Sequence, residues 1–245
     1  MKTLHLTLIA ASLLLASFSG PVQAGLFEEL TSVLGEAGDG PGSSLDDSTI
    51  AGGLKEALAT GTARAVKSVS RRDGYFGNEM IKILLPEKIR STADLLGRFG
   101  FQKEVDDFVL SMNRAAEKAA PKAMEHFTTA LKAMTFDDAR AILQGDSTSA
   151  TQYFRQKTGD RIYADFKPVV AANMKDAGVS RYYSQMAEKF EAIPFAGAAG
   201  SLDLDHYVTT KAVDGLFSML GEEEKKIRTD PAARGTELLK KVFGK

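Results

Sequence analysis

The stretch Val105–Leu143, VDDFVLSMNRAAEKAAPKAMEHFTTALKAMTFDDARAIL, decides the fold class. With each residue placed about 100° from the last, Val105, Phe108, Val109, Met112, Ala116 and Ala119 fall within roughly 100°, a single apolar stripe of a helix. Asp107, Arg114 and Lys118 fall on the far side, and Asp106, Asn113 and Glu117 share the flank between. Leu110 lies among the polar residues, which predicts that part of this face is also covered. Pro121 either kinks the helix or opens a second one, since its ring removes an N–H and crowds the preceding turn. Met124, Phe127, Leu131 and Met134 mark the apolar side of the next helical segment. Thr135 and Asp138 have the spacing of a capping box, and Gly145 closes the short helix it starts.

The helical pattern continues in both directions. Ile50–Ser70 repeats apolar residues near every 3.6 positions, behind a cap at Ser48 or Thr49. Arg71–Leu85 has Asp73-Gly74 and Gly77-Asn78 as turn signals, and reads as an ordered loop whose Tyr75 and Phe76 plug into the core. Pro86 suits the first position of a helix that runs through Phe99 and stops at Gly100. A cap around Ser147–Ser149 opens a run to about Lys175, with Gly159 and Pro168 as expected interruptions and Gly178 as its end. Ser180 caps a further segment, and Pro194–Ser201 is a loop. Leu204–Ile227 is apolar on most sides, as a central helix must be. Its polar end pairs Glu222 with Lys226 and Glu224 with Arg228 at i, i+4. Pro231 opens a last short helix. No strand and no fixed-period repeat is evident, so the expected fold is all-α: a multi-helix bundle in a single domain, residues 50–245.

The amino terminus predicts a compartment. Lys2, the apolar run Leu4–Phe18 and Val22-Gln23-Ala24 form the three parts of a secretory signal peptide, residues 1–24, cleaved after Ala24. Cysteine is absent, so a lipid anchor at the mature start is excluded, and the product is expected free, in the periplasm or outside the cell. Residues 25–49 read as a short amphipathic helix and a flexible acidic linker. Glu28, Glu29 and Glu36 argue against its lying on an anionic membrane. Once Lys2 is removed, 30 basic residues face 32 acidic ones, a net charge of −2 without the basic footprint of a nucleic-acid binder. The 221 residues left of 245 suffice for one large core, with no transmembrane segment after cleavage.

No P-loop, HExxH, GxSxG or dinucleotide glycine pattern occurs. With no Cys and only His126 and His206 beyond the signal, no metal site and no cofactor is expected. His126 reads as a boundary histidine and His206 as part of an acidic helix start. Asp137 and Asp138 are adjacent, hence about 100° apart, and suit capping plus a bridge to Arg140 better than paired acid–base work. Asp106, Asn113 and Glu117 are the stronger cluster, either a ligand site or a polar network locking helices, with Arg114 or Arg155 available to hold an anion. Asp214, in an apolar run, is either at an outer edge or buried with an Arg partner.

The segments MNRAAEKAAP (112–121), MTFDDARAIL (134–143), ATQYFRQKT (150–158), AVDGLF (212–217) and EEEKKIRTDPAAR (222–234) resemble the domain-of-unknown-function 4197 family of exported bacterial proteins. The resemblance spans roughly Ile50–Gly244. It implies export and a mainly helical body, and carries over no catalytic residue. Two functions are then expected. One is a non-enzymatic binding protein for an envelope component, a partner protein or a small amphipathic ligand. The other is an unrecognised hydrolase or metal-assisted enzyme built on the 106–117 helix.

Overall fold

The computed structural model describes residues 47–176 and 203–230. The predicted signal peptide, the 25–46 segment, the Gly178 stop, the Ser180 segment, the Pro194–Ser201 loop and the helix after Pro231 lie outside the described residues. Among those described there are helices and turns and no strand. In chain order they are α1 (Asp47–Ser70), α2 (Glu87–Leu96), α3 (Gln102–Ala119), α4 (Ala123–Ala133), α5 (Phe136–Gln144), α6 (Ser149–Asp176) and α7 (Leu204–Thr229).

α7 packs against α6, α1 and α3, which accounts for buried residues spread over about 180° of its axis: Val208, Ala212, Val213, Leu216, Phe217 and Leu220. Three aromatic rings tie the bundle at its centre. Phe127 of α4 meets Phe154 of α6 edge-on at 5.2 Å and Phe217 of α7 at 5.9 Å. Such edge-to-face pairs are favoured by the ring quadrupole, and their buried area supplies most of the energy. Gly61 of α1 lies where a Cβ would come within 3.3 Å of Ile227 Cδ1, so the small residue lets α1 and α7 approach.

Several boundaries differ from expectation. α1 is already helical at Asp47, which places Ser48 and Thr49 inside the helix and not at its cap. Pro86 sits one position before α2, in extended conformation (φ −53°, ψ 141°), rather than as its first residue. α2 ends at Leu96, not Phe99. A π turn, Gly97–Phe101, comes next, and Gly100 adopts φ 89°, a left-handed geometry that glycine tolerates. The reversal leaves Phe99 68% exposed although its spacing suggested a core contact. Pro121 falls in a single 3₁₀ turn, Ala120–Lys122, that separates α3 from α4.

α6 is unbroken for 28 residues, across both Gly159 and Pro168. Phe154, Thr158, Ile162, Phe166, Val170 and Met174 are all buried at i+4 intervals. Each step of four advances the buried face by about 40°, so the row winds about 200° around the helix. Burial continuing past Pro168 holds the helix where local propensity would end it.

The turn before α6 is organised by Asp146. Its Oδ1 accepts from Thr148 N and Thr148 Oγ1, both at 2.7 Å, and from Ser149 Oγ at 3.2 Å. Two of the hydroxyls where a cap was expected, those of Thr148 and Ser149, thus donate to Asp146. Before α5, Thr135 and Asp138 do form the expected capping box.

Candidate functional site

The loop Arg71–Leu85 is ordered by its own turns before anything else holds it. Asp73 takes φ 62°, a left-handed geometry that a short polar side chain tolerates. Gly74 is required next to it, since a Cβ there would lie 2.5 Å from Val69 O. Asn78 Oδ1 accepts from Met80 N at 3.1 Å, and Asn78 O accepts from Ile81 N and Lys82 N. Lys82–Pro86 then runs without helix or turn, and burial alternates along it, with Ile81, Ile83 and Leu85 buried and Leu84 exposed.

α3 clamps this loop with the two residues that stack one turn apart on its flank. Asn113, fully buried, accepts from Ile83 N at 2.8 Å and donates through Nδ2 to Ile83 O and Val109 O, both at 2.8 Å. The amide thereby pairs with a backbone edge as a neighbouring strand would. Glu117, 3% exposed, accepts from Tyr75 N at 3.1 Å and Phe76 N at 3.3 Å through Oε1. Its Oε2 accepts from Arg114 Nη1 at 2.6 Å, and Arg114 Nη2 donates to Asp73 Oδ1 at 2.6 Å. Tyr75 crosses to α7, donating its hydroxyl to Ala212 O at 2.6 Å. Burial, with the Glu117 charge second, pushes that hydroxyl far above the usual phenol range. The Tyr75 ring fits because Gly215 has no Cβ: one would stand 2.6 Å from Tyr75 Cε1.

The other sequence candidates disperse. Asp106 is exposed and accepts from Gln102 Nε2 at 2.8 Å; the loop covers the helix only from Asn113 onward, so Asp106 stays outside the cluster. Arg114, placed by the helical wheel on the far side, instead bends back to Glu117. Arg155 reaches Asp214 at 2.9 Å and stacks over Phe217 at 4.6 Å, on the outer side of α6 and α7. Asp214 therefore combines the two readings left open for it: an outer-edge acid with an Arg partner. Asp137 and Arg140 approach to 3.7 Å on the exposed start of α5, while Asp138 closes the capping box. His126 meets Asp165 at 2.7 Å, and His206 N donates to the cap residue Asp203 at 2.8 Å. At the end of α7, Lys226 pairs with Glu223 at 2.7 Å rather than with Glu222, at the i, i+3 spacing.

One buried station escaped the sequence reading. Glu224, 5% exposed, accepts from Ala150 N at 3.0 Å, and from Thr151 N and Thr151 Oγ1 at 2.8 Å. It also takes the expected bond from Arg228, whose Nη2 continues to Ile142 O at 2.8 Å. The available signal was position: Leu216, Leu220, Glu224 and Ile227 share the apolar stripe of α7, so the acid had to be buried with partners.

On its outer side the clamped loop borders a groove of about 280 Å³ against α7 and the start of α2. Met80, Lys82, Leu84, Arg90, Tyr207 and Lys211 contribute to its lining. Tyr207 donates its hydroxyl to Leu84 O at 3.0 Å, and burial raises the pKa of that hydroxyl against the opposing pull of Arg90. Met80 and Leu84 are 58% and 52% exposed. Lys82 Nζ lies 4.4 Å from the centre of the Phe76 ring, and Lys211 Nζ 5.9 Å from that of Tyr207. Among the described residues, none of Lys82, Arg90 and Lys211 is in an ion pair, while Asp214 on the same lining is bonded to Arg155. No described helix is long and apolar enough to cross a membrane, and no described group of three His, Cys, Asp or Glu is placed to hold a metal.

These features define a class: an all-helical bundle whose buried polar residues hold its own backbone. The chain belongs to the family described as protein of unknown function (DUF4197), whose model matches residues 44–244. Neither the curated proteins nor the solved structures compared with the chain include a match to it.

Proposed function

We propose that this protein is exported to the periplasm and acts there without catalysis, as a binding protein whose working surface is the groove beside Met80–Leu84. The compartment rests on the three-part signal at residues 1–24. The binding role rests on one observation: the polar groups best arranged for chemistry, Asn113 and Glu117, are buried and hydrogen-bonded to Ile83, Tyr75 and Phe76 of the same chain. A hydrolytic role would require one of them to release a backbone group and reach a substrate. The same bonds stiffen the loop that forms one wall of the groove, which is how a preformed site is kept ready for a ligand.

The test is complementation of a deletion strain by variants, with melting temperatures measured in parallel. Asn113→Ala is expected to lower the melting temperature and to complement at permissive temperature, whereas Leu84→Asp keeps its stability and fails to complement. If Asn113→Ala instead melts like the wild type and abolishes complementation, the assignment is wrong. Fractionation of the envelope checks the compartment: recovery of the full 245-residue chain in the cytoplasm would overturn it.

A further inference from the structure

We propose that the groove takes a small amphipathic anion: an oxyanion head, carboxylate or phosphate, on a short apolar tail. This deepens the binding role proposed above and rests on it. The charge argument is local. Arg114, Arg155 and Arg228 are each bonded to an acid, yet the three cations around this groove are in no ion pair among the described residues. The acid that shares the lining, Asp214, is already neutralised by Arg155. Lys82, Arg90 and Lys211, none of them in a described ion pair, outnumber Glu87, the acid that acts on Tyr207 beside Arg90, and give the groove a net positive field that an anion would complete.

The head would sit among Lys82, Arg90 and Lys211. Met80 and Leu84, each more than half exposed, provide an apolar wall with Tyr207. A site of about 280 Å³ is at the small end for ligand pockets, which limits the tail to about eight carbons and leaves no room for a two-chain lipid. Tyr207 does not donate to the anion, since its one hydroxyl proton is given to Leu84 O, so the recognition is by cations and apolar contact.

The experiment uses the protein as its host produces it, with ¹³C-methyl-methionine labelling and the Met80 signal assigned through Met80→Leu. Octanoate and octyl phosphate are titrated separately, with acetate as head alone and octanol as tail alone. Saturable shifts of Met80 by either anionic amphiphile, and little by acetate or octanol, are expected. Whichever anion binds tighter identifies the head. Lys82→Gln and Lys211→Gln should each weaken binding about two- to fivefold, the range of a single exposed charge contact, and raised salt should weaken it further. These lysines are in no described ion pair and each loses only a ring contact, so a small fall in melting temperature at most is expected, and it is measured beside binding. Octanol shifting Met80 as strongly as octanoate, or the glutamine variants binding like wild type, overturns the proposal, as does the absence of any saturable shift. If no anion binds while Leu84→Asp still fails to complement, the ligand class is wrong and the binding role stands. Tight binding with full complementation by Leu84→Asp would have the opposite meaning.

Discussion

Glu117 and Glu224 are built from the same parts and hold different things. Each is buried, accepts from two consecutive backbone N–H groups, and takes an arginine from its own helix: Arg114 three residues before Glu117, Arg228 four residues after Glu224. Glu117 holds a loop, through Tyr75 and Phe76. Glu224 holds the start of α6, supplying from a distant helix the acceptor that the first turn of a helix lacks. Their arginines also end differently. Arg114 is 27% exposed and also donates to a second carboxylate, Asp73; Arg228 is 17% exposed and also donates to a backbone carbonyl, Ile142 O. The same carboxylate chemistry therefore has a local task in one place and a global one in the other.

Removing each acid separates the two. Glu224→Ala takes from Arg228 the buried carboxylate it donates to, and from two helix-start N–H groups their acceptor. That is the costly way to break a buried pair, about 3–5 kcal/mol. Glu117→Ala leaves Arg114 with Asp73 and access to solvent, so the cost reduces to the orphaned loop amides, about 1–3 kcal/mol for the buried Tyr75 N–H and less for the half-buried Phe76 N–H. Urea denaturation gives the ranking, and amide hydrogen exchange gives the extent. Tyr75 and Phe76 should lose protection in Glu117→Ala while α6 keeps it, and Glu224→Ala should lower protection throughout the bundle. Equal losses spread over the same amides would erase the distinction.

The helices themselves were legible because periodic burial along one element is written in that element. The stripe of Val105, Phe108, Met112 and Ala116 is the clearest instance. The chain between them was legible in part. Turn residues Asp73-Gly74 and Gly77-Asn78 located the loop, and Tyr75 was correctly expected in the core, but which helix would hold it depends on contacts dozens of residues away. For that reason Asn113 and Glu117 stood out as a cluster while their partners did not, and Asp106, on the same side of the wheel, was grouped with them although the loop does not extend over it. α6 shows the converse: Gly159 and Pro168 are local signals of a break, and tertiary burial of a winding row overrides both. The groove had no sequence signal, since Lys82, Arg90 and Lys211 converge from three separate segments.

Gly215 sharpens the local half of the comparison. It lets the Tyr75 ring lie against α7, so the loop held by Glu117 at its backbone is also held by packing at its side chain. A Cβ at Gly215 would meet Tyr75 Cε1 at 2.6 Å and Ile81 Cβ at 3.2 Å, both from the loop. Gly215→Ala is expected to cost about 1–3 kcal/mol, as overpacking of a filled core does. In combination with Glu117→Ala it should cost less than the sum, because a loop already released can move away from the new methyl. Additive losses in that double-mutant cycle would mean that Tyr75 and the Glu117 clamp act independently.

Asp138 is the solvent-exposed version of the same device and gives the smallest effect. Its carboxylate accepts from Thr135 N at 3.0 Å and Thr135 Oγ1 at 2.8 Å, and these bonds, the backbone one foremost, hold its pKa below the usual aspartate value. A lowered folded-state pKa means that the stabilisation is complete above the unfolded value, near 3.9, and disappears as pH falls through the folded one. Because the site is open to water, Asp138→Asn is expected to cost only about 0.5 kcal/mol at neutral pH. The difference from wild type should shrink below about pH 4, where protonation leaves aspartate as neutral as asparagine. Melting curves of the pair from pH 7 to pH 3 test this. A difference that persists unchanged at pH 3 would show that the charge of Asp138 contributes nothing, and that burial is what gives Glu117 and Glu224 their larger roles.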